Sequence, residues 1–99
     1  MTADEMKQRT KAYALRVIGV VRALPRGDVA RAIGDQLLRS GTSVGANYRA
    51  ACRAKSRPDF INKLKIIDEE CDESLFWMEL LVEGKLIAES RLAALQGEG

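Results

Sequence analysis

Four cations stand close together near the middle of the chain: Arg49, Arg53, Lys55 and Arg57. Arg49 and Arg53 are one helical turn apart and therefore share a face. Lys55 and Arg57 carry the charge past the end of that helix. Cations grouped this way can neutralise the phosphates of a polyanion; the competing reading is a solvated helix end. Catalysis has less to work with. The chain has no His, which removes the commonest general base and the commonest neutral metal ligand. Without an imidazole, no Ser or Cys can be assembled into a nucleophile–base pair, and no catalytic residue is assigned.

Other groupings point to structure more than to chemistry. Gly41, Thr42, Ser43, Val44 and Gly45 invite comparison with a phosphate-binding loop. They lack the required Lys, the spacing and a preceding strand, so close helix packing through small residues is the better reading. Asp68, Glu69, Glu70, Asp72 and Glu73 could suggest a metal-bound bundle core. Di-metal bundles draw a Glu-x-x-His pair from each of two helices, and here no His exists to supply it. No metal site and no cofactor are assigned. Trp77, Phe76 and Tyr48 could stack on nucleobases, but their spacing suits a core or a subunit interface better. Cys52 and Cys71 form no C-x-x-C pair and are expected as reduced thiols in or near the core.

The elements that must position these residues are helical almost throughout. Met6, Thr10, Tyr13, Val17, Val20 and Leu24 alternate by four and three, giving a broad apolar stripe. Pro25, Arg26, Gly27 and Asp28 form a stop, a turn and a fresh N-cap. A second stripe runs through Val29, Ile33, Leu37 and Val44 to Ala51. Its phase passes unshifted through Gly41 and Gly45, which predicts one long helix despite the local cost of glycine. Ser56, Arg57, Pro58 and Asp59 are a helix start with a capping Ser and a tolerated Pro. The third stripe, from Phe60 through Leu64, Ile67, Cys71, Ser74 and Met78 to Leu81, is the strongest in the chain, with Gly84 as its natural terminator. A short fourth helix is expected over residues 88–96, carrying Leu92 and Leu95. The reading is an all-α, up-and-down four-helix bundle with a short fourth helix, forming one domain over residues 1–99.

Composition agrees with that reading. A chain of 99 residues with 46% hydrophobic content and two Pro is neither disordered nor collagenous. No stretch approaches the ~20 apolar residues of a membrane span, and the early acids of the N-terminus predict no signal peptide. A cytoplasmic protein with no membrane partner is expected. Charge is unevenly divided. Residues 1–57 hold 12 basic and 4 acidic residues, and residues 58–99 hold 4 basic and 10 acidic. Either the halves neutralise each other across a helix interface, or the basic half shows a patch to a polyanion.

Leu38, Arg39 and Ser40, followed by the run from Thr42 through Ala46, Asn47, Tyr48 and Arg49 to Ala51, resemble a hallmark of a bacterial family. That family consists of four-helix bundles encoded in intervening sequences within 23S ribosomal RNA genes. The likeness continues in Asp59, Phe60 and Ile61, in Lys63 and Leu64, and in Glu70 through Ser74 with Trp77 to Leu81. The accessory protein of diversity-generating retroelements resembles the same family. The resemblance implies a ring-shaped homo-oligomer, commonly a pentamer, with no known enzymatic activity. For the retroelement relative it also implies binding of RNA or DNA and of a reverse transcriptase through a basic surface. This chain departs from the pattern at Ala50, where many relatives carry Glu, and in its short fourth helix.

The function expected on these grounds is a non-catalytic oligomeric scaffold or adaptor that binds nucleic acid, or a nucleic-acid enzyme, through Arg49, Arg53, Lys55 and Arg57. The alternative is a purely structural homo-oligomer with a protein partner. Hairpin arithmetic adds geometry. If the second and third helices turn near Ser56, Gly41 meets Cys71, Gly45 meets Ile67, Arg53 meets Asp59, and Arg39 pairs with Glu70 or Glu73. Leu80, Val82, Leu86, Ile87, Leu92 and Leu95 crowd one end and are expected to form a subunit interface.

Overall fold

The computed structural model describes residues 1–87. Three helices follow one another, α1 (Ala3–Arg22), α2 (Asp28–Cys52) and α3 (Arg57–Glu83), and there is no strand among the described residues. The all-α, up-and-down class is as the apolar periodicity predicts. The expected fourth helix falls outside the described residues.

Local chemistry sets the helix boundaries. Thr2 caps α1 by accepting a 3.1 Å hydrogen bond from the Glu5 amide, and Ser56 caps α3 by accepting one of 3.2 Å from the Asp59 amide. The start of α2 differs from the sequence expectation. Its N-cap is Gly27, at φ +139°, rather than Asp28. Backbone there is open to glycine and strained for other residues, while Asp28 in the first turn faces the positive helix end. Through the predicted waist α2 stays intact. The Ser40, Thr42 and Ser43 hydroxyls donate to carbonyls one turn back, at 2.7–2.9 Å, so they do not compete with the helix from outside.

Both α1 and α3 pack on α2, and neither packs its backbone on the other. The core is made where all three meet: Tyr13 and Val17 from α1, Leu37 and Val44 from α2, Met78 and Leu81 from α3. Four of these, Val17, Leu37, Met78 and Leu81, have no exposed surface at all. Ser40 and Ser74 lie fully buried beside them, and the Ser74 hydroxyl lies 2.9 Å from Ser40 Oγ. Burial pushes the Tyr13 phenol above its ordinary value, an effect the Ser74 hydroxyl partly offsets.

The register between α2 and α3 is the predicted one. Arg39 Nη1 donates to Glu70 Oε2 at 3.0 Å and Nη2 donates to Glu73, so one guanidinium holds both expected carboxylates. Arg53 makes no ion pair with Asp59. The glycines correct a different expectation. Gly41 and Gly45 face α1, not Cys71 and Ile67 of α3. A Cβ on Gly41 would lie 2.8–2.9 Å from the Val17 methyls, and one on Gly45 would lie 3.3 Å from Thr10 Oγ1. The reason is spatial. Ser40 and Arg39 take the α3 side of α2, leaving its small residues to α1.

α3 ends at Gly84, its C-cap, as expected, but the left-handed residue of the terminus is not the glycine. Gly84 has an ordinary φ of −79°, and it is Lys85 that adopts the left-handed backbone, at φ +61°. The Leu86 amide donates to Leu81 O at 2.8 Å and the Lys85 amide to Val82 O at 3.0 Å, the paired bonds of a Schellman terminus. This turn folds Leu86 and Ile87 back against the core together with Val82. Val82, Leu86 and Ile87, which were expected at a subunit interface, are half-buried against their own chain's core; Leu92 and Leu95 lie outside the described residues. Cys71 packs against the core as expected, but Cys52 is exposed.

Candidate nucleic-acid interface

The up-down-up course brings the N-terminal half of α1, the C-terminal half of α2 and the first turns of α3 to the same end of a body 44 Å long. All four predicted cations are there and all are exposed. Arg49 lies in the last turn of α2, Arg53 is that helix's C-cap and so stands just past its end, Lys55 is in the α2–α3 turn, and Arg57 is at the start of α3. The fold adds cations that the division of the sequence into halves had separated. Lys7, Arg9 and Lys11 arrive on α1, and Lys63 and Lys65 on α3. Within residues 1–13 and 46–66, nine Lys and Arg side chains stand against three carboxylates, Asp4, Glu5 and Asp59. Arg22 and Arg26 are carried to the opposite end, where an open groove of about 440 Å³ lies between Leu24, Arg26, Ala30 and Arg31.

Lys63 and Lys65 escaped notice because they belong to the half whose total is acidic. A signal was nonetheless present. Arg57, Ile61 and Lys65 repeat at intervals of four, which aligns them on α3 outside its core stripe.

The structure also corrects the reading of the third stripe. Phe60 and Leu64, expected in the core, are 41% and 40% exposed, with Ile61 beside them at 42%. At this end α3 has α2 on one flank, and its other edge is uncovered by any described residue. Of the aromatics considered for stacking, Phe76 is 51% exposed, at a distance along α3 from the basic end, while Trp77 and Tyr48 are half-buried. Trp77 packs against the core, donates its indole N–H to Glu73 at 3.2 Å, and meets Phe76 edge-on at 5.1 Å. Tyr48 is half-buried, with its phenol pushed up by desolvation and then by Cys52 one turn on.

The acidic run on α3 is split by its surroundings. Glu70 and Glu73 are held by Arg39, and the Arg39 guanidinium keeps the Glu73 carboxyl below the usual carboxylate range, helped by the Trp77 indole. Asp68, Glu69 and Asp72 face solvent. Among the described residues, no three His, Cys, Asp or Glu side chains gather as metal ligands do. No helix among them is long and apolar enough to cross a membrane. Arg39 thus neutralises two of the α3 carboxylates across the α2–α3 interface, away from the basic end.

The chain was compared with known proteins. No functionally curated protein matches it. A crystal structure of a protein of unknown function from the S23 ribosomal protein family of Bacteroides thetaiotaomicron is similar at 35% identity and a TM-score of 0.90. That similarity covers 99% of this chain and 88% of the other. The family model for 23S rRNA-intervening sequence proteins matches residues 3–98. With nearly every residue matched and the bundle geometry reproduced, the chain belongs to the 23S rRNA-intervening sequence protein family.

Proposed function

We propose that this protein is a non-catalytic, oligomeric scaffold of the cytoplasm that binds nucleic acid through its basic end. The observation that carries the reading is the gathering of nine cations against three carboxylates, from three separate helices and the α2–α3 turn, at one end of the bundle. A field of that sign concentrates polyanions and speeds their approach. One subunit gives weak binding, because non-specific affinities at physiological salt are about 10⁻⁴–10⁻⁶ M. A ring of subunits, as the family resemblance implies, repeats the patch, and multivalency then raises avidity without new contacts. The same surface would hold a nucleic-acid enzyme, such as a reverse transcriptase, beside its template.

The test is the salt dependence of oligonucleotide binding. Each phosphate neutralised contributes about 0.7–0.9 to the slope of log K against log salt. Reversing Arg49 and Arg57 to Glu should flatten that slope by about 1.4–1.8 if each contacts one phosphate, with the helical circular dichroism unchanged. Should the intact protein retard no polynucleotide at low salt, the reading fails and a scaffold for protein partners takes its place.

A further inference from the structure

The basic end is not uniformly polar. Phe60, Ile61 and Leu64 expose 41%, 42% and 40% of their surface on the first two turns of α3. Arg57 lies one turn before Ile61 and Lys65 one turn after it, and both are exposed. The cations thus bracket the apolar patch along a single line of the helix. From Arg57 to Lys65 the helix rises about 12 Å, the length of three to four stacked nucleotides at roughly 3.4 Å each.

We propose that the strand taken by this end is single-stranded, with Phe60 as its stacking platform and Arg57 and Lys65 on the flanking phosphates. This deepens the nucleic-acid reading above and rests on it. A duplex keeps its base faces stacked inside and offers a helix flank only phosphates and groove edges, so an exposed phenyl ring gains nothing from it. A single strand offers the π-faces themselves, and aromatic side chains within a cationic surface are how such strands are bound without regard to sequence. Charge selects the occupant. An apolar patch flanked on its own helix by Arg57, Lys63 and Lys65 suits a polyanion with apolar faces better than an uncharged protein surface.

The experiment measures anisotropy of a labelled oligo-dT of about 16 nucleotides, the upper site size of small single-strand folds, and of a duplex of the same length. Phe60→Ala should weaken single-strand binding roughly tenfold to a hundredfold, the stacking worth of one base, and leave duplex binding unchanged. Phe60→Leu, which keeps the apolar volume, should show the same loss, whereas Phe60→Trp should retain binding and have its added emission quenched by the strand. Equal affinity of the wild type for both forms with no effect of Phe60→Ala and Phe60→Leu, or equal losses on both forms, would overturn the proposal while leaving nucleic-acid binding intact. A lower assembly mass for Phe60→Leu by light scattering, with single-strand and duplex affinity falling together, would assign the patch to contacts between copies and also overturn it. If the wild type binds neither form at low salt, it is the broader reading that fails, and this proposal with it.

Discussion

Replacing one glycine by alanine should have opposite effects at two sites of this bundle, and the contrast measures how closely α1 approaches α2. Gly19 is exposed within α1, with nothing within 4 Å of a built Cβ. Gly19→Ala should therefore collect the helix propensity difference, a gain of about 1 kcal/mol. At Gly41 the same methyl would meet Val17 Cγ2 at 2.8 Å, Cγ1 at 2.9 Å and Cβ at 3.2 Å. Val17 has no exposed surface, and a β-branched side chain in a helix has essentially one χ1 rotamer. It cannot swing aside, so relief must come from a shift of α1. Overpacking of this kind costs about 1–3 kcal/mol. Offset by the same propensity gain, Gly41→Ala should lose up to about 2 kcal/mol, or up to roughly 16 °C in Tm for a chain of this size. Urea unfolding followed by circular dichroism, at one fixed protomer concentration because assembly shifts apparent stability, gives both values. The double variant Val17→Ala with Gly41→Ala should lose less than the two single losses added, because the first substitution removes the methyls that the second strikes. If Gly41→Ala stabilised the protein as Gly19→Ala does, the close α1–α2 contact would be wrong, and with it the assignment of the glycine-containing segment to packing.

Three further outcomes are expected. Lys85→Gly should raise stability by up to about 1 kcal/mol in the same unfolding assay, since left-handed backbone costs an L residue roughly 1–2 kcal/mol and glycine returns part of the gain through the unfolded chain. Glu73 has its carboxyl pKa held below the ordinary 4.5, first by Arg39 and then by Trp77. Its contribution is present above the unfolded value and lost as pH falls below about 4.5 through the folded one. Glu73→Gln should accordingly flatten that acid limb of the stability profile, and a limb unchanged in slope would refute the assignment. In a thiol-labelling time course Cys52, which is exposed, should react at once. Cys71, packed on the core with its thiol pushed up by burial and by Asp68 and Glu70, should react far more slowly, and equal rates would contradict the packing.

What was legible in the sequence follows from how local each determinant is. The three helices, the cap at Ser56 and the unbroken course of α2 depend on periodicity and on neighbours within one turn, and all could be read directly. The Arg39 contact with Glu70 and Glu73 followed from hairpin arithmetic, because a short turn fixes the register of two antiparallel helices. The partner of Gly41 and Gly45 did not follow. Periodicity says which face of α2 is apolar, but two helices share that face, and which sector each takes depends on side-chain shape across the interface. The basic end was half legible. Its α2–α3 turn is contiguous in sequence, whereas Lys7, Lys11 and Lys65 join it only once the chain has folded up, down and up again. Phe60 and Leu64 were misplaced because a stripe predicts which residues could be buried and not how far along the bundle a covering partner extends.

The placement of α2 between two helices that do not pack on each other has a kinetic side. Among the described residues, the helix–helix backbone contacts join elements adjacent in the chain, across connections of five residues (23–27) and four residues (53–56). Loop closure is cheap at such lengths, and folds dominated by local contacts cross their barriers fastest. The bundle is thus two hairpins that share a strut, and either can form before the other. The core cluster that joins Tyr13 and Val17 to Met78 and Leu81 links residues far apart in the chain and is rewarded after both hairpins stand. On a ribosome all residues of the α1–α2 hairpin, its glycine seam with Val17 included, are available once Cys52 has emerged, whereas the core they share with Met78 and Leu81 waits for α3.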